Sequence, residues 1–265
     1  MPLMDRLRRM FGAKAPAPMP DQPLYVIGDI HGRADLLQEL FDLIDSDQQA
    51  TGIEQPLAVF VGDYIDRGTD SRRVLQSLHA MARSLAADPG AEGEMLCLMG
   101  NHERMLLDFL DAPVEAGPRW LRNGGVLTLD SFGISGVPET APPEVLEAAR
   151  DALAEALDDG APDGLADWLR SMPMIAQSGN VAMVHAACDP GQPIDAQLPA
   201  TLLWGHPDFL TRPRSDGLWV VHGHTIVSAP GARDGRIALD TGAFYSDRLS
   251  AAILVPGAEV RFLST

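Results

Sequence analysis

The chain has 265 residues, 46% of them hydrophobic and 22% charged, a composition that suits one sizeable globular domain. A formal net charge of -17 argues against an extended nucleic-acid-binding surface, which would need clustered Lys and Arg. No apolar run approaches the roughly 20 residues of a membrane span, no apolar h-region accompanies Arg6, Arg8 and Arg9, and Cys97 and Cys188 make no disulfide framework, so a cytoplasmic setting is expected.

Residues 1–22 read as a flexible N-terminal arm. Met4, Leu7, Met10 and Phe11 are spaced for one short amphipathic turn, and the tract from Ala15 to Pro20 is extended Pro-Ala sequence. Residues 23–265 read as one α/β domain. Apolar runs at Leu24–Ile27, Leu57–Val61 and Met95–Met99 alternate with helical periodicities at Arg33–Asp45, Ser71–Ala87 and His102–Leu110. That order predicts a sheet with helices packed on its faces. The stretch 111–179 is rich in Pro, Gly, Ala and acid, and predicts a helical cap insertion with helices at Pro143–Leu157 and Gly164–Arg170. Its acidity, concentrated between Glu139 and Asp167, reads as a solvated face. Strand patterns return at Val181–Val184, Leu218–Val221, Arg236–Leu239, Ala251–Val255 and Glu259–Leu263.

Polar groups cluster where the apolar runs stop. Gly28-Asp29-Ile30-His31-Gly32 follows the first strand, Gly62-Asp63-Tyr64-Ile65-Asp66-Arg67-Gly68 the second, and Gly100-Asn101-His102-Glu103 the third. His185 and the His222-Gly223-His224 segment end two later strands. In open α/β sheets ligands bind beyond the carboxyl ends of strands, so this is the arrangement of a metal site. Carboxylate, amide and imidazole donors suit manganese, iron or zinc. Two divalent ions roughly 3.5–4 Å apart clamp a phosphoryl group and acidify a water, with Asp63 as the natural bridging carboxylate and a metal-bridging hydroxide as nucleophile. His102 is the candidate proton donor to the leaving oxygen, Asp66 its orienting partner, and Arg67 a guanidinium fork for phosphate oxygens.

GDIHG, GDYIDRG and GNHE, in that order, resemble the three motifs of the metal-dependent phosphoprotein phosphatase family, within the calcineurin-like metallophosphoesterases and closest to the bacterial serine/threonine type. The resemblance continues through VHAACDP, VHGHT and ALDTGAF. It implies a central β-sandwich flanked by helices. It also implies one metal held by Asp29, His31 and Asp63, and a second held by Asp63, Asn101, His185 and His224. By the alignment His224 is the ligand, and His222 reads as a packed strand residue. Relatives of bacterial type often carry W-x-R where this chain has Trp204-Gly205-His206, so His206 joins Arg67 and Asn101 as a phosphate-binding candidate, with Arg212 and Arg214 nearby.

Taken singly, these residues have plainer readings. His185 alone would be a satisfied core histidine, Asn101 a helix cap, Asp240 a turn former and His79 a structural mid-helix residue. Joint occurrence at strand ends decides for a phosphoester hydrolase. The expected substrates are phosphoserine or phosphothreonine in protein, or phosphomonoesters broadly. The alternative is symmetrical hydrolysis of diadenosine tetraphosphate, or removal of nucleotide caps from RNA. The presence of Asp66 and Glu103 leans towards the protein phosphatase. A non-catalytic metal-binding scaffold would be expected to have lost His102, Asp66 or Arg67, and all three are present.

Overall fold

The computed structural model describes residues 16–88, 90, 93–158 and 164–265. The possible amphipathic turn at Met4–Phe11 lies outside them. Among the described residues ten strands form two mixed five-stranded sheets, in spatial order β10-β9-β1-β2-β3 and β4-β5-β6-β8-β7. In the first sheet β1 (Leu24–Ile27), β2 (Leu57–Phe60) and β3 (Glu94–Cys97) run parallel, and β9 (Ser250–Leu254) and β10 (Arg261–Ser264) are added antiparallel. In the second, β5 (Val181–Val184), β6 (Trp219–His222) and β8 (Arg236–Ala238) are parallel, edged by β4 (Ile175–Ser178) and β7 (Gly231–Arg233).

The two sheets pack face to face, and the period of two in a strand sorts their side chains. Leu24 and Val26 point into a core shared with Val181, Met183, Val221 and Ile237 of the second sheet. Tyr25 and Ile27 point the other way, into a larger core under the helices. All four residues of β1 are buried, as expected of a central strand covered on both faces. The expected β-sandwich flanked by helices is the observed architecture.

Helices α1 (Ala34–Thr51), α2 (Ser71–Ala87) and α3 (Asn101–Asp111) follow β1, β2 and β3. α1 outruns its periodic segment by two turns, because nothing after Asp45 breaks it until Gly52 closes it in the left-handed conformation (φ 69°). Four further helices occupy the middle of the chain: α4 (Pro113–Trp120), α5 (Val126–Ser131), α6 (Pro143–Leu157) and α7 (Leu165–Ser171). α4 and α5 had no clear periodic signal, being short, interrupted by Pro118 and Gly117, and joined by a π-helical turn at Leu121–Gly125. These helices pack on α2 and α3. Two short helices, α8 (Pro199–Trp204) and α9 (Ala243–Ser246), complete the fold. Among the described residues no helix is long and apolar enough to cross a membrane.

The last part of the expected arm is bound to the body. Trp219 donates its indole N–H to Pro16 O (2.5 Å), Asn180 Nδ2 donates to Ala17 O, and Gly257 N donates to Pro18 O. Met19 N donates to Asn180 Oδ1 (2.6 Å), while Asp21 exchanges hydrogen bonds with Ser178 and Gly179. A Pro-rich strand has carbonyls to offer and little conformational entropy to lose, which is why this tract can strap the β4–β5 turn of one sheet to the β9–β10 turn of the other. Several partly exposed bonds at about 0.5–1.5 kcal/mol each predict that removing residues 1–21 lowers stability by about 2–4 kcal/mol. Thermal melting of that truncation against one lacking only residues 1–15 checks this; equal melting temperatures would contradict the strap.

Candidate active site

The carboxyl ends of β1, β2 and β3 in one sheet, and of β5 and β6 in the other, deliver the candidate ligands to one rim. Their turns are strained. His31, Asp63, Asp66, Arg67 and His224 all have φ between 46° and 70°, the left-handed region that side chains seldom adopt. Such strain costs of order 1–3 kcal/mol per residue and persists where surrounding contacts over-determine it. The adjoining glycines contribute close approach instead: a Cβ at Gly100 would lie 2.3 Å from Asp63 N, and one at Gly223 would lie 1.8 Å from Asp29 Oδ1.

Glu103 is what holds the second motif in place. Fully buried on the first turn of α3, its carboxylate accepts the N–H groups of Asp63 (2.8 Å), Tyr64 (2.8 Å), Ile65 (3.3 Å) and Gly100 (3.0 Å). One side chain thus caps its own helix and pins the Asp63–Ile65 loop. Burial, reinforced by Asp63, pushes its pKa up to about 8, against the pull of those N–H groups.

Asp63 lies at the centre. Its Oδ2 is 3.5 Å from His31 Nε2 and 3.9 Å from His102 Nε2, and its Oδ1 is 3.3 Å from His185 Nε2. The N–H of His102, at the positive end of α3, donates to Oδ1 (3.1 Å). Burial opposes its charge, but His185, His102 and His31 hold its carboxyl below the usual range. His31, Asp63 and His102 bring donor atoms within 4.8 Å of one another, and so do Asp63, His185 and His224.

The donors fit a pair of divalent cations on their hydrogen-bond pattern. His31 Nδ1 and His185 Nδ1 face the carbonyls of Ile65 (2.8 Å) and Val61 (2.9 Å), so each donates there and turns a lone pair at Nε2 inward. His185 Nε2 then meets Asn101 Oδ1 at 2.7 Å, and His224 Nδ1 meets the same oxygen at 2.9 Å. Asp29 accepts from His224 N through Oδ2, while its buried Oδ1 has no hydrogen-bond partner among the described residues. The lone pairs of His185 Nε2 and Asn101 Oδ1, facing each other without a proton, and the unpartnered Asp29 Oδ1 are what a cation satisfies. Burial drives the pKa of His31 to about 3 and of His224 to about 4, so both imidazoles are neutral and able to ligate. Burial and the neighbouring Asp240 and Asp63 raise Asp29 well above a normal carboxyl, and burial raises Asp240 to about 6. Asp240 turns the chain by accepting from Gly242 N (2.8 Å).

Beside this centre stands the proton-donor pair. Asp66 Oδ2 is 2.6 Å from His102 Nδ1, which leaves His102 Nε2 facing Asp63. Burial works against protonating His102, but Asp63 and Asp66 outweigh it and its pKa is raised. Asp66 is itself held by the Trp120 indole N–H (3.0 Å) and the Thr128 hydroxyl (2.6 Å). Trp120 is therefore a buried clamp on Asp66. Nothing local in the sequence marks Trp120 or Thr128 as partners of Asp66, more than fifty residues away. Arg67 places Nη1 3.1 Å from His31 Nε2 and its guanidinium 4.9 Å above the Phe244 ring.

His206 is not gathered into this cluster. Its Nε2 lies 3.8 Å from Asp189 Oδ2 and its Nδ1 accepts from Asp208 N. Arg214 is committed to Asp216 and to the carbonyls of Asp189 and Gln192. His222 is buried against Phe209, with ring centroids 4.9 Å apart, and is a packed strand residue.

Residues 22–228 match the family model described as calcineurin-like phosphoesterase. The chain belongs to that family. Its paired His/Asp clusters, one of His31, Asp63 and His102 and one of Asp63, His185 and His224, are consistent with a dinuclear metal site. Over 174 residues it is 31% identical to a symmetrical bis(5'-nucleosyl)-tetraphosphatase of Legionella pneumophila (strain Corby), a match covering 65% of this chain and 46% of that one. Over 102 residues it is 36% identical to serine/threonine-protein phosphatase 1 of Salmonella typhimurium (strain LT2), covering 38% of each. The fold is shared with a cold-active protein-tyrosine phosphatase of a psychrophilic Shewanella species, with a TM-score of 0.56 at 19% identity over 93% of this chain and 83% of that one. The matched region spans about half the length of the first of these curated relatives.

Proposed function

We propose that this hydrolase cleaves phosphoanhydrides between two nucleotides symmetrically, with bis(5'-nucleosyl) tetraphosphates as the substrate class. The observation that carries the reading is the extent of the similarity: it runs through 174 residues with the Legionella tetraphosphatase, but through 102 with the Salmonella phosphatase. Asp29, His31 and Asp63 would hold one cation, and Asp63, Asn101, His185 and His224 the other, with manganese as the first candidate. When bound, two such cations polarise the phosphoryl group and acidify water for in-line attack. Arg67 and Asn101 hold phosphate oxygens. His102, whose pKa Asp63 and Asp66 raise, passes a proton from Nε2 to the leaving oxygen. Water enters at phosphorus, the central P–O–P bond breaks, and two nucleoside diphosphates leave. His206, engaged by Asp189, has no part in this scheme.

A second reading, protein serine/threonine phosphatase, draws on the Asp66–His102 pair. A serine alkoxide is a far poorer leaving group than a phosphate and benefits more from a strong proton donor. A panel with added manganese separates the two: diadenosine tetraphosphate, phosphoserine peptide, p-nitrophenyl phosphate and capped RNA. The expected result is a kcat/KM for diadenosine tetraphosphate at least about 10-fold above that for the peptide, with ADP as the sole nucleotide product. The opposite ranking selects the phosphatase, and AMP plus ATP as products would exclude symmetrical cleavage.

A further inference from the structure

Beyond the metal ligands a line of aromatic rings leads out to solvent. His31 meets Phe244 edge-to-face at 5.4 Å, and Phe244 meets Tyr245 in the same way at 5.0 Å. Arg67, which the proposed chemistry places on phosphate, lies over the Phe244 ring. Tyr245 is 60% exposed although it is a large aromatic side chain. One part of its ring covers the backbone of Gly242, where a Cβ would come within 2.2 Å of Tyr245 Cε1; the rest faces water. Among the described residues its hydroxyl makes no hydrogen bond.

The turn that presents Tyr245 is rigidly laced. Arg33 donates to Ala243 O (2.9 Å) and pairs with Asp247 (2.5 Å), Ser246 donates to Thr241 O (2.7 Å), and Asp240 accepts from Gly242 N. Asp247 sits at φ 54°, a strained position in an otherwise solvent-exposed turn. An exposed aromatic ring held this firmly, two ring contacts from a metal ligand and beside a phosphate-binding arginine, has the form of a stacking platform.

We infer that Phe244 and Tyr245 form a nucleobase site, Tyr245 stacking on a purine of a nucleotide whose phosphate lies at Arg67. This rests on the dinucleotide reading above and assigns the residues that recognise one end of the substrate. Stacking tolerates any base with a π-face, so the site selects for nucleosides as a class and does not read base edges.

The test compares AMP with ribose 5-phosphate as inhibitors of p-nitrophenyl phosphate hydrolysis by the manganese-loaded protein. Both carry the same phosphate, and only AMP carries a base. AMP is expected to bind about 10-fold more tightly to the wild type. Tyr245→Ala abolishes that advantage and Tyr245→Trp retains it. With diadenosine tetraphosphate, Tyr245→Ala raises KM about 10-fold while kcat changes less than about 2-fold. No AMP advantage in the wild type, or an undiminished one in Tyr245→Ala, overturns the platform. If the wild type leaves diadenosine tetraphosphate intact but shows a Tyr245-dependent AMP advantage, the proposed substrate fails and the nucleobase site stands.

Discussion

Asp63→Asn is expected to lower kcat by about 1000-fold or more and to cut bound metal from two ions to at most one. Asparagine is the informative replacement. It tolerates the left-handed backbone that Asp63 adopts at φ 57°, and its Oδ1 can still accept the N–H of His102. What disappears is the negative oxygen that faces His31 and His102 while Oδ1 faces His185. A neutral amide would offset the charge of two cations far less well than a carboxylate. Metal content by elemental analysis, beside steady-state kinetics and a melting curve, separates loss of the bridge from loss of the fold. Two ions retained with near-normal turnover would refute the bridging assignment.

His102→Asn is expected to cost about 100- to 10,000-fold on a phosphoserine peptide, and less than about 10-fold on p-nitrophenyl phosphate, whose phenolate leaves without help. The same loss on both substrates would show that His102 acts in some way other than proton donation. The pH profile gives an independent reading. An acid catalyst must be protonated, so activity falls as pH rises through its pKa. Asp66 is one of the groups that raise that pKa, so Asp66→Asn should move the alkaline limb to lower pH. An unmoved limb would detach Asp66 from His102, despite their 2.6 Å contact.

GDIHG, GDYIDRG and GNHE each follow an apolar run of strand length, and the structure places each at the end of a strand. The parallel pairing of β1 with β2 and β2 with β3 explains why ligands separated by tens of residues meet: parallel neighbours end on the same side. The choice of His224 over His222 fits the same logic. His222 is the last residue of β6 and packs inward, whereas His224 follows the turn at Gly223 and reaches Asn101.

His206 shows where a motif comparison ran out. Its position after Trp204 suggested a phosphate contact, but its neighbour in space is Asp189, and the direction of that side chain depends on a loop conformation. Residues 16–21 meet the same limit. Pro-Ala sequence has no periodicity to bury, yet its carbonyls find donors on Trp219, Asn180 and Gly257 that only the folded chain brings near.

The amino-acid sequence by itself determined the alternation of strands and helices, the identity of the polar groups at strand ends, and hence the family, because each is written in local spacing and residue chemistry. The tertiary structure decided what supports those groups. Glu103 gathers four backbone N–H groups, Trp120 and Thr128 hold Asp66, and the Phe244–Tyr245 pair stands beside Arg67. Most of those partners are many residues apart along the chain. Hydrogen bonds and ring contacts act over a few ångströms in space, and no local pattern encodes which distant residue will fill them.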